Sequence, residues 1–216
     1  MRFAFALVAA LGFAASASAQ VTGLPVVQYP DNSAGPDNTV TSDLFINFTG
    51  NLGGNQILLT LTQGTIFNAP PAQGGGDTAP LGVLASTFPE TGFDTFVGLG
   101  ATTSDDPGFT ATSIFGGAVD LGGEASTNFD GPLNVAFAPS VGETVTDGTM
   151  YQVARITLSA DAQGSIMYLG SLATGGTPTI SMGSVVNGQV QFIPEPTTAI
   201  LLGLATCGLA TVRSRG

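Results

Sequence analysis

Apolar residues in this chain of 216 residues occur in short alternating segments that glycine and proline interrupt. The segments 44–48 and 56–62 each place three aliphatic or aromatic residues at every second position. A period of two puts such residues on one face of a half-buried strand. The pattern therefore predicts β-strands at 44–48 and 56–62, with a turn at 51–54 between them.

The same pattern continues along the chain and predicts further strands. They are expected at 95–99, 110–115, 118–121, 133–137, 150–159 and 165–169. In 150–159 apolar residues occupy both parities, which predicts either burial on both faces or a bulge near Arg155. Asn187-Gly188 lies between β-forming residues and predicts a tight hairpin.

Composition favours an all-β fold. With 31 glycines and 13 prolines, and with turn-forming residues between the apolar segments, long helices are disfavoured. Many short strands without helical interludes predict an antiparallel β-sandwich or a jelly-roll-like barrel. No repeat or composition break divides 20–193, so we expect one domain there, with Gly- and Pro-rich loops at 68–80 and 104–108.

The N-terminus has the organisation of a secretory signal peptide. Arg2 supplies a positive charge, and an apolar stretch follows over 3–15. Ala17-Ser18-Ala19 then offers the small residues that signal peptidase requires. We expect residues 1–19 to form a signal helix that is cleaved between Ala19 and Gln20, so that the protein is exported.

The C-terminus has three ordered elements. They are Pro194-Glu195-Pro196, the apolar run 197–212, and the closing Arg213 and Arg215. Two prolines around a glutamate keep the backbone extended and out of helix or sheet. As a helix the 16 apolar residues would be about 24 Å long, close to the thickness of a hydrocarbon core. The basic end fits a cytoplasmic anchor point, so a transmembrane helix is predicted at 197–212.

This tail resembles the PEP-CTERM sorting signal of exported proteins in Gram-negative bacteria. The resemblance implies recognition by an exosortase, cleavage near the tripeptide, and association with exopolysaccharide and the biofilm matrix. An ordinary membrane anchor that is never processed is the alternative. Segments 93–97 and 153–158 are also similar to uncharacterised exported proteins with the same tail, a group that implies no activity.

The body at 20–193 is strongly acidic. It contains 14 acidic residues and Arg155 as its single cation, a formal charge of −13. Such a surface repels phosphate backbones and anionic lipid, so nucleic-acid binding is excluded. The one cysteine of the chain, Cys207, lies in the apolar tail, so no intrachain disulfide can form.

The chain lacks residues that several kinds of catalysis require. Without histidine or a body cysteine, neither a catalytic triad nor a Cys-His pair can be assembled, and zinc loses its usual ligands. We therefore predict that the protein is not an enzyme and carries no cofactor. A glycoside hydrolase that uses two carboxylates stays a less favoured alternative. Its candidate acids are Asp94, Asp105, Asp106, Asp120, Glu124 and Asp130.

Weak calcium binding is a further alternative. Asp31, Ser33, Gly35 and Asp37 alternate in a loop, but they depart from the EF-hand pattern. Aspartates that cap turns are the favoured interpretation of this loop and of the acids at 105–106. For Arg155 we favour an internal ion pair that joins sheet and loop over a grip on an anionic sugar.

Three functional classes follow from these observations. The favoured one is a non-catalytic surface or matrix protein delivered by its C-terminal signal. A carbohydrate-binding module, with or without calcium, is the second, although the chain has no tryptophan and only three tyrosines for a sugar platform. The carboxylate hydrolase is the third.

Overall fold

The computed structural model describes residues 20–118 and 133–193, which consist mainly of antiparallel β-strands. The strands are β1 (Gln20–Gln28), β2 (Thr39–Gln63), β3 (Phe96–Val97), β4 (Thr112–Ala118), β5 (Leu133–Pro139), β6 (Thr146–Ser159), β7 (Gln163–Leu172), β8 (Thr179–Val186) and β9 (Gln189–Phe192). The helical segments are α1 (Gly82–Thr87) and 3-10 turns at Pro71–Gln73 and Pro89–Phe93. The all-β prediction is confirmed, and the jelly-roll-like description stays a prediction.

The predicted terminal helices, at 1–19 and 197–212, lie outside the described residues. Within 20–118 and 133–193 no helix is long and apolar enough to cross a membrane.

Strand pairing forms two sheets that share β2. Sheet A contains β1, the first half of β2, β6 and β3. Sheet B contains β4, β5, the second half of β2, β7, β8 and β9, in that spatial order. Thr39 pairs with Ser159 and Gln63 pairs with Gln163, so both ends of β2 lie at the same end of the domain. The chain therefore reverses within β2.

The reversal takes place at 51–54, where a turn is predicted. The backbone there stays in strand conformation and crosses from sheet A to sheet B, so the predicted turn is a crossing between sheets and not a hairpin. Gly53 permits the tight passage, because a Cβ atom at this position would lie 2.6 Å from the carbonyl carbon of Leu172. The carbonyl oxygen of Asn51 accepts a hydrogen bond from the N–H of Ala173 at 2.9 Å.

Strand β6 has both features that its apolar pattern predicts as alternatives, burial on both faces and a bulge near Arg155. Residues 152–154 and 156–158 are buried, and loop residues bond to this stretch, with the N–H of Phe67 donating to the carbonyl oxygen of Thr157 at 2.9 Å. The register against β2 also shifts between Ala154 and Gln152, which leaves Val153 as a bulge next to Arg155.

The core lies between the two sheets. Leu44 and Ile46 from sheet A and Ile57 and Leu59 from sheet B belong to one continuous cluster of buried side chains. These residues have the shared parities that the alternating pattern predicts, so the predicted inward faces are confirmed.

Predicted strands differ from the structure mainly at the ends. Strand 95–99 shortens to β3, and the segment 118–121 lies mostly outside the described residues. The Asn187-Gly188 hairpin is confirmed between β8 and β9, and both residues have positive φ angles (51° and 75°), as a tight hairpin turn requires. Strand β1 and helix α1 are absent from the sequence-based prediction.

Tyr168 is the largest fully buried side chain of the described residues. Its hydroxyl donates a hydrogen bond of 2.6 Å to Oδ1 of buried Asn55, and burial raises the pKa of the phenol well above its ordinary value. We expect Tyr168→Phe to lower the free energy of unfolding by about 1–3 kcal/mol, because the amide oxygen loses its donor. Urea unfolding measures the loss. Tyr29→Phe is the matched control, since the Tyr29 hydroxyl also donates one hydrogen bond, to the carbonyl oxygen of Val190 at 2.7 Å, but from a side chain that is 46% exposed. We expect a smaller loss there, and equal losses in both variants would contradict the prediction.

Candidate functional site

The aspartates that the sequence suggests as calcium ligands or catalytic acids accept hydrogen bonds from backbone N–H groups. Oδ1 of Asp31 accepts the N–H of Ser33 at 2.9 Å, and Oδ1 of Asp106 accepts the N–H of Gly108 at 2.8 Å. These are the turn-capping contacts that the sequence predicts. Asp105 accepts the N–H of Gly82 at 2.6 Å, and this hydrogen bond holds the pKa of its carboxyl below the ordinary value.

The described residues do not gather these acids into a metal centre. Within 20–118 and 133–193 no three acidic, histidine or cysteine side chains form a group that could hold a metal ion. Three of the predicted candidate acids lie outside these ranges: Asp120, Glu124 and Asp130. Calcium binding therefore stays a prediction.

Asp94 is fully buried and anchors the loop that follows β2. Its two carboxylate oxygens accept the N–H of Ala69 at 2.7 Å and the N–H of Gly76 at 2.8 Å. Thr91, also buried, donates its hydroxyl to the carbonyl oxygen of Gln73 at 3.0 Å. The predicted hydrolase acid is thus a structural anchor, and its oxygens point into the protein's own loop.

Arg155 forms the ion pair that the sequence predicts. Its Nε and one terminal nitrogen bind the two carboxylate oxygens of Asp43, each at 2.7 Å. The other terminal nitrogen donates to the carbonyl oxygen of Gly92 in the 3-10 turn. Both charged side chains are nearly buried, with 12% and 9% of their surface exposed. The interaction joins the strands of sheet A to a loop, so the guanidinium is fully engaged inside the fold.

The two segments for which the sequence predicts a similarity to exported proteins lie side by side. In 93–97 and 153–158, Phe96 pairs with Arg155 and Val97 pairs with Ala154. The hydroxyl of buried Thr95 accepts the N–H of Thr157 at 3.0 Å, and the Thr157 hydroxyl lies 2.9 Å from that of Thr41. These contacts attach β3 to β6, so the role of the segments is structural.

A shallow surface pocket of about 240 Å³ lies beside the 3-10 turn at Pro89–Phe93. Its lining is Gln73, Thr87, Phe88, Pro89 and Glu90. Glu90 is its one carboxylate, whereas glycoside hydrolysis needs two across the bond that is cut. This pocket therefore lacks the arrangement that the hydrolase alternative requires.

Sheet B differs from the rest of the described domain in its charge. Its strand segments, 52–63, 112–118, 133–139, 163–172, 179–186 and 189–192, contain no aspartate, glutamate, lysine or arginine. The described charges lie in sheet A, at Asp43, Asp147 and Arg155, and in the loops. The outer face of sheet B is consequently neutral on a strongly acidic protein.

Six apolar residues form a continuous patch on this outer face, which we call the sheet B stripe. They are Leu58, Met167, Leu169, Ile180, Met182 and Ile193. Met167 is paired with Leu58 on one side and with Met182 on the other, and Ile193 donates its N–H to the carbonyl oxygen of Met182 at 3.0 Å. Leu169 and Ile180 pair in the next row. Ile180, Met182 and Ile193 are about half exposed, at 49%, 54% and 56%.

Sequence analysis does not predict the stripe. In each strand, core residues occupy every second position and the stripe residues occupy the positions between them, where polar residues are expected. In the sequence each stripe residue therefore looks like an isolated exception to the apolar–polar alternation. The one sequence signal that points to the stripe is that none of the six strand segments of sheet B contains a charged residue. Only the pairing shows that these exceptions, on three strands and at the residue that follows β9, lie next to one another.

The predicted sorting and processing residues lie largely outside the described residues. Pro194, Glu195, Pro196, Arg213 and Arg215 follow the last described residue, and Ala17 and Ala19 precede the first. Gln20, the residue predicted to follow signal-peptide cleavage, opens β1. The positions of this signal therefore stay predictions.

The described residues form an all-β domain in which the strand segments of sheet B carry no charged residue. No protein-family model matches the chain, and no curated protein is significantly similar to it. Among solved structures, the chain is similar to a chain of a type II cohesin–X-dockerin complex, an N-terminal interface mutant, from Acetivibrio cellulolyticus. The identity is 12%, the match covers 81% of this chain and 90% of the other, and the TM-score is 0.30. A likeness at this level assigns neither fold nor function to the chain.

Proposed function

We propose that this protein is an exported, non-catalytic surface or matrix protein that is delivered by its C-terminal PEP-CTERM signal. It passes through an inner-membrane-anchored form and then remains in the cell envelope or the extracellular matrix, where it associates with exopolysaccharide. Signal peptidase and an exosortase are its processing partners. The tail and the signal peptide supply the address, and the body supplies a stable acidic β-domain for display.

The observation that supports a non-catalytic role is that the described carboxylates bind other groups of the fold itself. The buried carboxylates of Asp43 and Asp94 bind Arg155 and backbone N–H groups, and the exposed Asp105 and Asp106 bind the backbone of their own loops. A catalytic acid or base needs a proton-transfer partner on a substrate. Groups that already hold the fold together support a structural role.

Processing of the tail tests the proposed sorting. We expect the mature protein from cells with the exosortase to begin at Gln20 and to lack Arg213 and Arg215. Protein from cells without the exosortase should keep both arginines and stay in the membrane fraction. Intact-mass measurement of the two preparations reads the difference directly.

Matched variants separate recognition of the motif from general effects on export. Glu195→Ala should block processing in the strain with the exosortase, whereas Thr197→Ser should leave the mature mass pattern unchanged. An identical mass that retains Arg215 in both strains would rule out the sorting proposal and leave an ordinary anchor.

A further inference from the structure

We infer that the neutral outer face of sheet B is a self-association surface, at which two copies of the domain dock face to face. The inference goes beyond the proposed sorting function, because it assigns a partner to a surface of the folded body. It rests on the composition of the sheet B stripe, the distribution of charge, and the area that the face offers.

The stripe has the anatomy of an interface core. Its six members are aliphatic or methionine side chains in two adjacent rows, and uncharged polar residues surround them on the same face. The flanking residues include Gln56, Thr60, Asn134, Ser184 and Gln191. Depletion of charge at the centre and a polar rim are the features that distinguish protein interfaces from other surface.

Charge explains why the partner is a second copy. The described part of the domain contains eleven acidic residues and one arginine, and most of the acids lie in loops, so two copies repel each other when loops that carry these acids approach. The described strand segments of sheet B contribute no charge to that repulsion. A two-fold axis lying in the plane of the contact turns one face onto the other and makes such an interface self-complementary.

The available area fits a reversible dimer. The five neighbouring strands β5, β2, β7, β8 and β9 offer roughly 500 Å², at about 4.8 Å per strand and about 3.3 Å per residue, with seven residues taken in each strand except the four-residue β9. Two such faces bury about 1,000 Å², which lies at the lower end of specific interfaces. The stripe is also poorly suited to a sugar, because it contains no aromatic ring on which a sugar could stack.

Cysteine cross-linking in intact cells tests the contact on the full chain. The body has no cysteine, so Cys207→Ser produces a background in which each introduced cysteine is alone. Ile180→Cys, Met182→Cys and Ser184→Cys place a thiol at successive positions on the outer face of β8. With a short bifunctional maleimide we expect a species of twice the monomer mass from at least one of them. Thr49→Cys, exposed in sheet A, is the matched control and should stay monomeric.

A charge variant tests the same surface by an independent measurement. Met182→Glu brings two like charges together across the proposed contact and should weaken self-association of the purified mature protein at least about tenfold in sedimentation equilibrium. Val83→Glu adds the same charge to an exposed apolar residue of α1 and should leave association unchanged. Equal unfolding midpoints in urea show that both variants fold.

Other outcomes overturn the inference. A monomer at every concentration, together with no doubled mass from any β8 position, excludes a dimer through this face. With Cys207 retained, a cross-link between Cys207 and a cysteine at position 182 within one chain would show that the apolar tail occupies the stripe. A cross-linked species that contains a different protein would identify a foreign partner instead.

Discussion

Arg155→Met is expected to lower the free energy of unfolding by about 3–5 kcal/mol, because it leaves the buried carboxylate of Asp43 without its partner. The guanidinium binds both oxygens of Asp43 and the carbonyl oxygen of Gly92, so three acceptors lose a charged donor. No other described residue is basic, so no other side chain can supply the missing charge. Urea unfolding of the variant measures the effect.

Two further variants separate the charge from the geometry. Arg155→Lys keeps the charge but cannot form the two-pronged contact, so we expect a smaller loss than for methionine. Asp43→Leu combined with Arg155→Met removes both charges, and we expect it to recover at least half of the loss, because no unpaired charge stays buried. Additive losses in the double variant would show that the two residues do not interact, and losses under about 1 kcal/mol would show that water screens the pair.

Asp94→Ala is the second large prediction. The carboxylate accepts N–H groups of Ala69 and Gly76 at 2.7 and 2.8 Å, and Ala69 is fully buried. Hydrogen bonds to a charged acceptor contribute about 1.5–3 kcal/mol each, so we expect a loss of about 3–5 kcal/mol. Asp94→Asn should restore little of it, because its NH₂ group would face one of the two donors.

The loss of Asp94 should also have a local signature. Hydrogen exchange at the amides of Ala69 and Gly76 should accelerate more in the variant than exchange at Ile57 in the core. Glu90→Gln removes one negative charge from the same part of the chain, where the side chain is exposed, and should leave both stability and exchange unchanged. Equal exchange at Ala69 in Asp94→Ala and the wild type would contradict the anchoring role.

Secondary structure was predictable wherever one face of a strand is buried. The parity of Leu44, Ile46, Ile57 and Leu59 identifies their inward faces because side chains of a strand alternate strictly. Strand β1 was missed because Gly23 and Pro25 interrupt its apolar pattern. It is a strand because its backbone pairs with β2, an interaction between residues 15 to 29 positions apart in the chain. Helix α1 has only six residues, too few for a helical period to be recognised.

Polar contacts between residues close in sequence were predictable, whereas contacts between distant residues were not. The caps at Asp31 and Asp106 follow from local sequence, because each aspartate binds an N–H two residues later. That Arg155 forms an ion pair could be expected, since the single cation of an acidic body has many acids to pair with. Its partner, Asp43, could not be named, because 112 residues separate the two in the chain.

By itself the sequence determined the all-β class, the inward faces of the main strands and the acidic charge, since each depends on composition or on neighbours along the chain; the two terminal signals stay predictions of the same kind. Only the tertiary structure decided that β2 crosses between two sheets, that Asp94 and Arg155 anchor loops, and that neutral strands gather in sheet B. These features depend on which strands become neighbours, and strand order arises from contacts between distant segments. The sheet B stripe shows the difference most clearly, because its six residues come from β2, β7, β8 and the residue that follows β9 and become one surface only after pairing.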